Sequence, residues 1–125
     1  IGTLRGGLNR LLRRQVLSYT QAQGLVFSTA YAIREAKDGS LLLAGSGGLN
    51  RLRGQALEQM REQEGLAATS LRSVVEGPDG ALYVAIYRQG VQCLHKGRSK
   101  LYTEADGLPN HNVRGITLDG AGRLW

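Results

Sequence analysis

Few residues in this chain have the types and the spacing that metal binding or nucleophilic catalysis requires. The two histidines, His95 and His111, are well separated, and no second cysteine or acidic pair stands in ligand spacing with either. A zinc site needs about four such ligands. Cys93 could act as a nucleophile only beside a base, and His95 is the sole candidate, so an unreactive thiol is the favoured interpretation. The sequence predicts no metal, no cofactor and no catalytic residue.

Two glycine-containing patterns also have a non-catalytic explanation. The pairs Asp38-Gly39 and Asp79-Gly80 lack the run of oxygen ligands that calcium requires, and tight-turn formation accounts for them. No Gly-Lys-Ser/Thr follows the glycine pairs, which excludes a phosphate-binding loop of that type.

Ligand binding is better predicted for two loop segments that differ from their counterparts elsewhere in the chain. Connecting loops commonly carry function, and in the arrangement inferred below both segments project from the same face. Their mixture of aromatic, cationic and amide groups suits a polar ligand such as a sugar, although ordinary loop variation remains an alternative. The candidate residues are Tyr87, Arg88, Gln89, Asn110, His111 and Asn112.

These loops connect segments of a tandem repeat. The hexapeptide Gly6–Leu11 recurs letter for letter as Gly47–Leu52, and a diverged third copy spans Gln89–Leu94. From Gly7 to Gly48 is 41 residues and from Gly48 to Gly90 is 42. The Gly-Leu and Asp-Gly pairs keep the same spacing, so the chain is predicted to contain about three repeats of 41–42 residues.

Each repeat is predicted to form four strands. Asp79-Gly80 separates two apolar runs, as in a β-hairpin, and the run 82–87 is apolar throughout, which is typical of a strand covered on both faces. A third strand follows at 90–94, a more polar fourth at 101–103, and the next repeat begins with a strand at 113–118. Residues 56–64 are rich in helix formers, but their counterparts in the other repeats favour a short outer strand, with a turn of helix after it.

Four-stranded units at this period indicate an all-β protein built of β-propeller blades. The predicted division is 1–29 for a partial first blade, 30–70 for the second blade, 71–112 for the third and 113–125 for the start of the next. Three blades do not close a ring, since propellers typically have four to eight. Further blades of the same protein, or other copies of this chain, are expected to complete it, and a fragment is the favoured interpretation.

Composition excludes several classes of protein. The net charge is +6, but the basic residues form no continuous stripe with interleaved aromatics, so nucleic acid is not a predicted partner. No apolar run is long enough to span a bilayer, so no membrane contact is predicted for this segment. One cysteine permits no internal disulfide.

Several linked motifs resemble the two-component regulator propeller repeat. They are the Gly-Leu-Asn-Arg-Leu stretch, an aromatic at Tyr19 or Tyr102, the loop 106–110 with Val113-Arg114, and a Gly-x-Leu-Trp sequence ending at Trp125. The resemblance implies a non-catalytic sensory region of a hybrid histidine kinase or related regulator, facing the periplasm from the inner membrane. The parent protein would carry a kinase or cyclase-type output domain. Cys93 departs from the pattern, since the other repeats have arginine there.

Three classes of function follow from these observations. The favoured one is a sensory segment of a bacterial regulator that binds a small molecule or an oligosaccharide. The second is a propeller enzyme such as a lyase, for which His111 with Glu104 or Asp106 would be the acid/base pair. The third is a scaffold for protein partners.

Overall fold

The structure, a computed structural model, describes residues 2–3, 5–11, 16–60, 65–66 and 70–125. The described chain is almost entirely β-structure, with two short 3-10 helices at Gln21–Gln23 and Glu104–Asp106. The strands in chain order are β1 Gly2–Thr3, β2 Gly7–Leu11, β3 Val16–Tyr19, β4 Ala30–Glu35, β5 Leu41–Gly45, β6 Gly48–Arg53, β7 Ala56–Met60, β8 Leu71–Glu76, β9 Leu82–Ile86, β10 Gly90–His95 and β11 Arg98–Tyr102.

Three antiparallel sheets follow one another along the chain. Their strand orders are β1-β2-β3, β4-β5-β6-β7 and β8-β9-β10-β11, so each sheet is a simple meander of neighbouring strands. The second and third sheets have the four strands that the repeat predicts. The expectation of an all-β fold made of propeller blades is confirmed.

The second strand of each four-stranded sheet lies in the middle of the protein. Leu42, Leu43 and Ala44 of β5 are fully buried, and so are Val84 and Ala85 of β9. Successive residues of a strand point to opposite faces, so both faces of these strands must be covered. A continuous apolar run is what such a strand requires.

The cover comes from the neighbouring sheets. One apolar cluster fills the space between the first and second sheets, a second lies between the second and third sheets, and a third joins the third sheet to the C-terminal segment. No single sheet could bury both of its faces, so each depends on its neighbours for stability. The largest buried members of these clusters are Phe27, Leu42, Leu43, Leu49, Leu71 and Ile86.

One position of the repeat ties adjacent sheets together through a side-chain amide. We call Asn9, Asn50 and Gln92, which are spaced by the repeat, the amide row. Asn50 is fully buried, accepts a hydrogen bond from the Val26 amide (2.9 Å) and donates to the Gly24 carbonyl (3.1 Å). Gln92 likewise donates to the carbonyl of Gly65 (2.6 Å). Gly24 and Gly65 belong to the segments that join one sheet to the next, so the amides fasten these connections.

A glycine begins the third strand because the neighbouring strand comes too close for a side chain. Gly90 has φ +112°, and a Cβ there would lie 2.1 Å from the carbonyl oxygen of Tyr102. Gly7 has φ +71° and meets the carbonyl of Tyr19 in the same way, at 2.3 Å. The middle copy, Gly48, has φ +131° without a close backbone neighbour, so the left-handed backbone is what all three glycines share.

Most predicted strands lie where the repeat places them, and the outer strand Ala56–Met60 is confirmed. The turn of helix expected at 61–64 lies outside the described residues. The fourth strand of the third sheet begins at Arg98 because Lys96 and Gly97, with φ +49° and +73°, form a two-residue hairpin turn. Strand β9 ends at Ile86, so Tyr87 belongs to the turn that follows.

The strand predicted over 113–118 is not formed. Backbone hydrogen bonds join Thr117 to Trp125, and Leu118 bridges Leu124, but the remaining residues of the segment have no ladder in the described structure. Two paired positions at the base of a turn are too few to define a strand. Within the part of the chain that the structure describes, no helix is long and apolar enough to cross a membrane.

Candidate functional site

Strands β4 and β8, the first strands of adjacent sheets, each contain a β-bulge near their start. Ala30 pairs with Gly45 and Ala32 with Ala44, which leaves Tyr31 as an extra residue in β4. The pairing of β8 with β9 shifts in the same way and leaves Arg72 as the extra residue. A bulge redirects the side chain of the unpaired residue away from the regular pleat, and bulges are common beside binding sites.

Tyr31, Arg72 and Arg114 occupy the same position of the repeat, and we call them the cavity row. All three line one cavity of about 320 Å³, together with Tyr87 from the turn after β9 and Asn112 from the connection after the third sheet. The repeat therefore brings residues from three successive units, and from two loops, to one place.

Aromatic rings hold the guanidinium of Arg72 in position. Its central carbon lies 4.2 Å from the ring centroid of Tyr31 and 4.5 Å from that of Tyr87. Both distances are within the range of cation–π attraction. Stacking engages the flat face of a guanidinium and leaves its N–H donors, which lie in the plane, available for another partner.

The cavity carries an unbalanced positive charge. An adjoining lobe of about 350 Å³ shares the three residues of the cavity row and adds Arg34, so three arginines border the two spaces. The lining of both lobes includes no carboxylate. Among the described residues, no acidic side chain lies within ion-pair distance of Arg72 or Arg114.

Asn112 contributes a side-chain amide to the lining. Its backbone amide donates to the side-chain oxygen of Asn110 at 2.7 Å, which fixes the local turn. Its Oδ1 is buried and has no hydrogen-bond partner among the described residues. An oxygen without accessible surface is closed to a ligand, so the rest of the side chain forms this part of the lining.

The structure brings together only two of the six residues predicted as ligand contacts. Tyr87 and Asn112 line the cavity. Arg88 lies 5.2 Å from the ring centroid of Tyr87, but it is exposed, as are Gln89 and Asn110, and none of the three lines the cavity.

His111 also lies outside the cavity, and it pairs with Glu104. Its Nδ1 is 2.9 Å from Glu104 Oε1, and its backbone amide donates to the same oxygen at 3.2 Å. The pair matches the acid/base combination that a propeller enzyme would need, yet both side chains are about half exposed. Two bonds from one residue to one carboxylate oxygen fasten the loop 104–111, and this accounts for the pair without catalysis.

Cys93 is not paired with His95. The thiol is half-buried and lies beside Tyr83, and burial together with the neighbouring Cys93 raises the pKa of the Tyr83 hydroxyl. His95 faces Asp79 instead, with Nε2 3.9 Å from a carboxylate oxygen, which is too long for a hydrogen bond. Within the described residues this pair therefore lacks the geometry of a nucleophile and its base.

The aspartates of the Asp-Gly turns stabilise these turns by accepting hydrogen bonds from backbone amides two residues further on. Hydrogen bonds from the side chain and then the backbone amide of Ser40 lower the pKa of Asp38, and the Ala81 amide has the same effect on the pKa of Asp79. These carboxylates are occupied by their own backbone. No group of three metal-ligating side chains occurs in the described part of the chain.

Sequence reasoning missed Tyr31, Arg72 and Arg114. Their signal was present, because the three stand at one repeat position yet differ from the apolar residues around them. A larger cleft of about 550 Å³, between the first and second sheets, is lined by leucine and isoleucine side chains together with Asn9, Arg10 and Glu35, so a carboxylate accompanies its arginine.

Comparison with known proteins shows the fold. No protein-family model matches the chain, and no curated protein matches it. Among solved structures, the extracellular domain of a protein described as the hybrid two-component system BT3049 of B. thetaiotaomicron superposes with a TM-score of 0.81 at 23% identity. The extracellular domain of the one-component system BT4673 from the same organism gives a TM-score of 0.50 at 17% identity.

These matches extend over nearly the whole chain but over a small part of each neighbour. They cover 98% and 99% of this chain, against 18% and 24% of the two neighbours. The chain thus spans about a fifth to a quarter of their length. At these identities the likeness concerns architecture, and the chain shares the blade fold of both extracellular domains.

Proposed function

We propose that this chain is a segment of a sensory domain in a bacterial signal-transduction regulator, and that the cavity beneath the cavity row is its ligand site. The observation that carries the proposal is the convergence of Arg72, Arg114 and Asn112 on one cavity, in which no described acidic side chain lies within ion-pair distance of either arginine. The neighbours with the same fold are extracellular domains of two-component and one-component systems, which supports a sensory role.

A binding role fits the cavity better than a catalytic one. Among the described residues, its lining offers cations, an amide and two phenol rings, but no carboxylate, histidine or cysteine. Groups of this kind recognise and orient a ligand, whereas proton transfer most often uses histidine or a carboxylate. The His111–Glu104 pair lies apart from the lining, so nothing at the cavity favours the lyase alternative.

The same proposal includes further blades, a periplasmic location and an output module in the parent protein. Further blades of the same protein would complete the ring, in line with the small share of each neighbour that this chain covers. The domain would face the periplasm from an inner-membrane protein, in line with the extracellular location of the two neighbouring domains. Ligand binding between blades would then change how the domain is held relative to its output module.

The proposal is tested on the intact regulator in its host. Tyr87→Ala and Asn112→Ala alter the cavity, whereas Gln89→Ala alters an exposed residue of the same turn. Transcription of the regulated genes is measured across a panel of growth carbohydrates and organic acids. We expect both cavity variants to lose the response to the inducing compound, and Gln89→Ala to respond as the unmodified protein does.

Protein abundance, measured by immunoblot, separates a signalling defect from a folding defect. Full induction in both cavity variants at normal abundance would contradict the proposal, because the sensed compound would then bind elsewhere.

A further inference from the structure

We propose that the cavity binds a hydroxylated carboxylate, a compound with an acid group and neighbouring hydroxyls such as a sugar acid. The inference rests on the proposed function and specifies the chemistry of the ligand. It follows from three features of the cavity: a stacked arginine, a second arginine without an acidic partner among the described residues, and an amide and two phenol rings in the same lining.

The first feature is Arg72, which is held in place before any ligand arrives. The rings of Tyr31 and Tyr87 lie at 4.2 and 4.5 Å from its guanidinium, and the side chain is half-buried. A long flexible side chain normally loses rotamer freedom when it binds a ligand. Stacking removes much of that freedom in advance and leaves the planar fork of donors that matches a carboxylate.

The second feature is Arg114, which occupies the same repeat position one unit later. It lines the same cavity, and Arg34 borders the adjoining lobe. Like charges gathered around one space repel each other. The described residues supply no carboxylate to the lining, so an anionic ligand is the partner that would balance the charge.

The third feature distinguishes an organic acid from a bare anion. The side-chain amide of Asn112 and the phenol rings of Tyr31 and Tyr87 line the cavity beside the arginines. An amide and a phenol hydroxyl both donate and accept hydrogen bonds and so suit neutral hydroxyls, whereas a guanidinium suits an anion. A ligand with an acid group and neighbouring hydroxyls would use both kinds of group, and a bare anion would use only the arginines.

The position of the site within the fold agrees with a dedicated role. Bulges at Tyr31 and at Arg72 recur in successive sheets, so the backbone irregularity belongs to the repeat. The residue placed on it changes from tyrosine to arginine, whereas the backbone does not. A constant backbone with a variable side chain is the arrangement expected where one scaffold serves recognition.

The test is isothermal titration calorimetry of the intact protein with three probes: D-glucuronate, D-glucose and sodium sulfate. D-Glucose keeps the hydroxyls of D-glucuronate without the charge, and sulfate keeps a charge without hydroxyls. We expect D-glucuronate to bind at least about tenfold more tightly than either of the others, as charge-assisted hydrogen bonds predict.

Variants localise the binding. Arg72→Gln and Arg114→Gln should each weaken D-glucuronate binding by about tenfold or more. Arg88→Gln is the matched control, because Arg88 is exposed and lies outside the cavity although it neighbours Tyr87. It removes the same charge and should change affinity by less than about twofold.

Each contrary result overturns the inference. Equal binding of D-glucose would show that the charge is not recognised, and equal binding of sulfate would show that the hydroxyl contact has no part. Absence of D-glucuronate binding, or an equal loss in Arg88→Gln, would remove the assignment to this cavity.

Failure of this inference is distinguishable from failure of the proposed function. If Tyr87→Ala and Asn112→Ala abolish the cellular response while D-glucuronate does not bind, the sensory role of the cavity is supported and the proposal of an acidic ligand is disproved. If both variants retain the cellular response, the sensory role of the cavity is disproved.

Discussion

The amide row and the cavity row recur at the same spacing, yet they use the repeat in different ways. Asn50 and Gln92 are buried and satisfied by neighbouring segments of the chain. Arg72 and Arg114 line a cavity and have no described acidic partner. The amide row keeps one chemistry in every unit, whereas the cavity row changes from tyrosine to arginine. A repeat position that keeps its chemistry therefore marks a structural role here, and a position whose chemistry changes between units marks the candidate site.

The difference has a simple physical origin. A buried amide must meet its donors and acceptors in every unit, because an unpaired polar group in the interior is costly. A residue on a bulge at the mouth of a cavity faces no such demand and can change without loss of the sheet. Variation is thus tolerated at the cavity row, and selection for a ligand can act there.

The largest effect is expected from removing a buried amide. Asn50→Leu keeps the number and branching of the side-chain heavy atoms but leaves the Val26 amide and the carbonyls of Gly24 and Glu58 without their partner. We expect the free energy of unfolding to fall by about 3 kcal/mol, measured by urea denaturation. Gln59→Leu is the control, since exposed Gln59 reaches the same Gly24 carbonyl only at 3.5 Å.

An unchanged stability of Asn50→Leu would remove the contrast between the two rows. So would a loss in Gln59→Leu as large as that in Asn50→Leu.

A smaller loss is expected at the next member of the amide row. Gln92→Leu removes bonds to the Gly65 carbonyl and to Ser99 Oγ, both at 2.6 Å. We expect a fall of about 2 kcal/mol in the free energy of unfolding, with no effect on ligand binding, because Gln92 does not line the cavity. Loss of D-glucuronate binding in this variant would show that the two rows are not separable.

The cavity row should contribute little to stability. Tyr31→Leu removes one of the two rings stacked on Arg72 and should lower the free energy of unfolding by only about 0.5–1 kcal/mol. D-Glucuronate affinity should fall, since Arg72 is less firmly placed. Tyr31→Phe keeps the ring and should retain both properties, and equal defects in the two variants would point to the hydroxyl instead of the stacking.

The smallest effect concerns pH. Hydrogen bonds from Trp125 Nε1, and then from Arg123, lower the pKa of Asp119 to about 2. The folded-state pKa of Asp119 lies below the ordinary 3.8. The ionised carboxylate therefore stabilises the folded state fully above about pH 4, and this stabilisation is lost as the pH falls through about 2. Fluorescence of the single tryptophan should titrate with a midpoint near pH 2.

Asp119→Asn serves as the control for that titration and should abolish the transition. A wild-type midpoint at 3.8 or above would contradict the network around Trp125.

Repetition made most of the fold predictable from sequence. The strand at Ala56–Met60 was inferred from its counterparts against a local preference for helix, and it is present. The 113–118 strand was predicted by the same logic and is absent, because most of that segment has no paired neighbour in the described structure. A residue pattern identifies a segment that can form a strand, but the strand forms only where a neighbouring strand supplies backbone hydrogen bonds.

The site was less predictable for a related reason. Tyr87 and Asn112 were found because they replace small residues in loops. Arg72 was missed because a lone arginine between Leu71 and Ser73 looks like the solvent-facing residue of an ordinary strand. The one-residue shift in pairing between β8 and β9 directs the Arg72 side chain towards the cavity. That shift is a feature of the backbone, which the residue types alone do not reveal.

The separation of the two rows is tested most directly by thermal unfolding of the intact protein, Arg72→Gln and Gln92→Leu, each with and without D-glucuronate. Without ligand, we expect the melting temperature of Arg72→Gln, which loses two stacking contacts, to fall less than that of Gln92→Leu. With ligand, the unmodified protein and Gln92→Leu should both be stabilised, whereas Arg72→Gln should not respond. A melting temperature of Arg72→Gln below that of Gln92→Leu, together with a normal ligand response, would contradict the account.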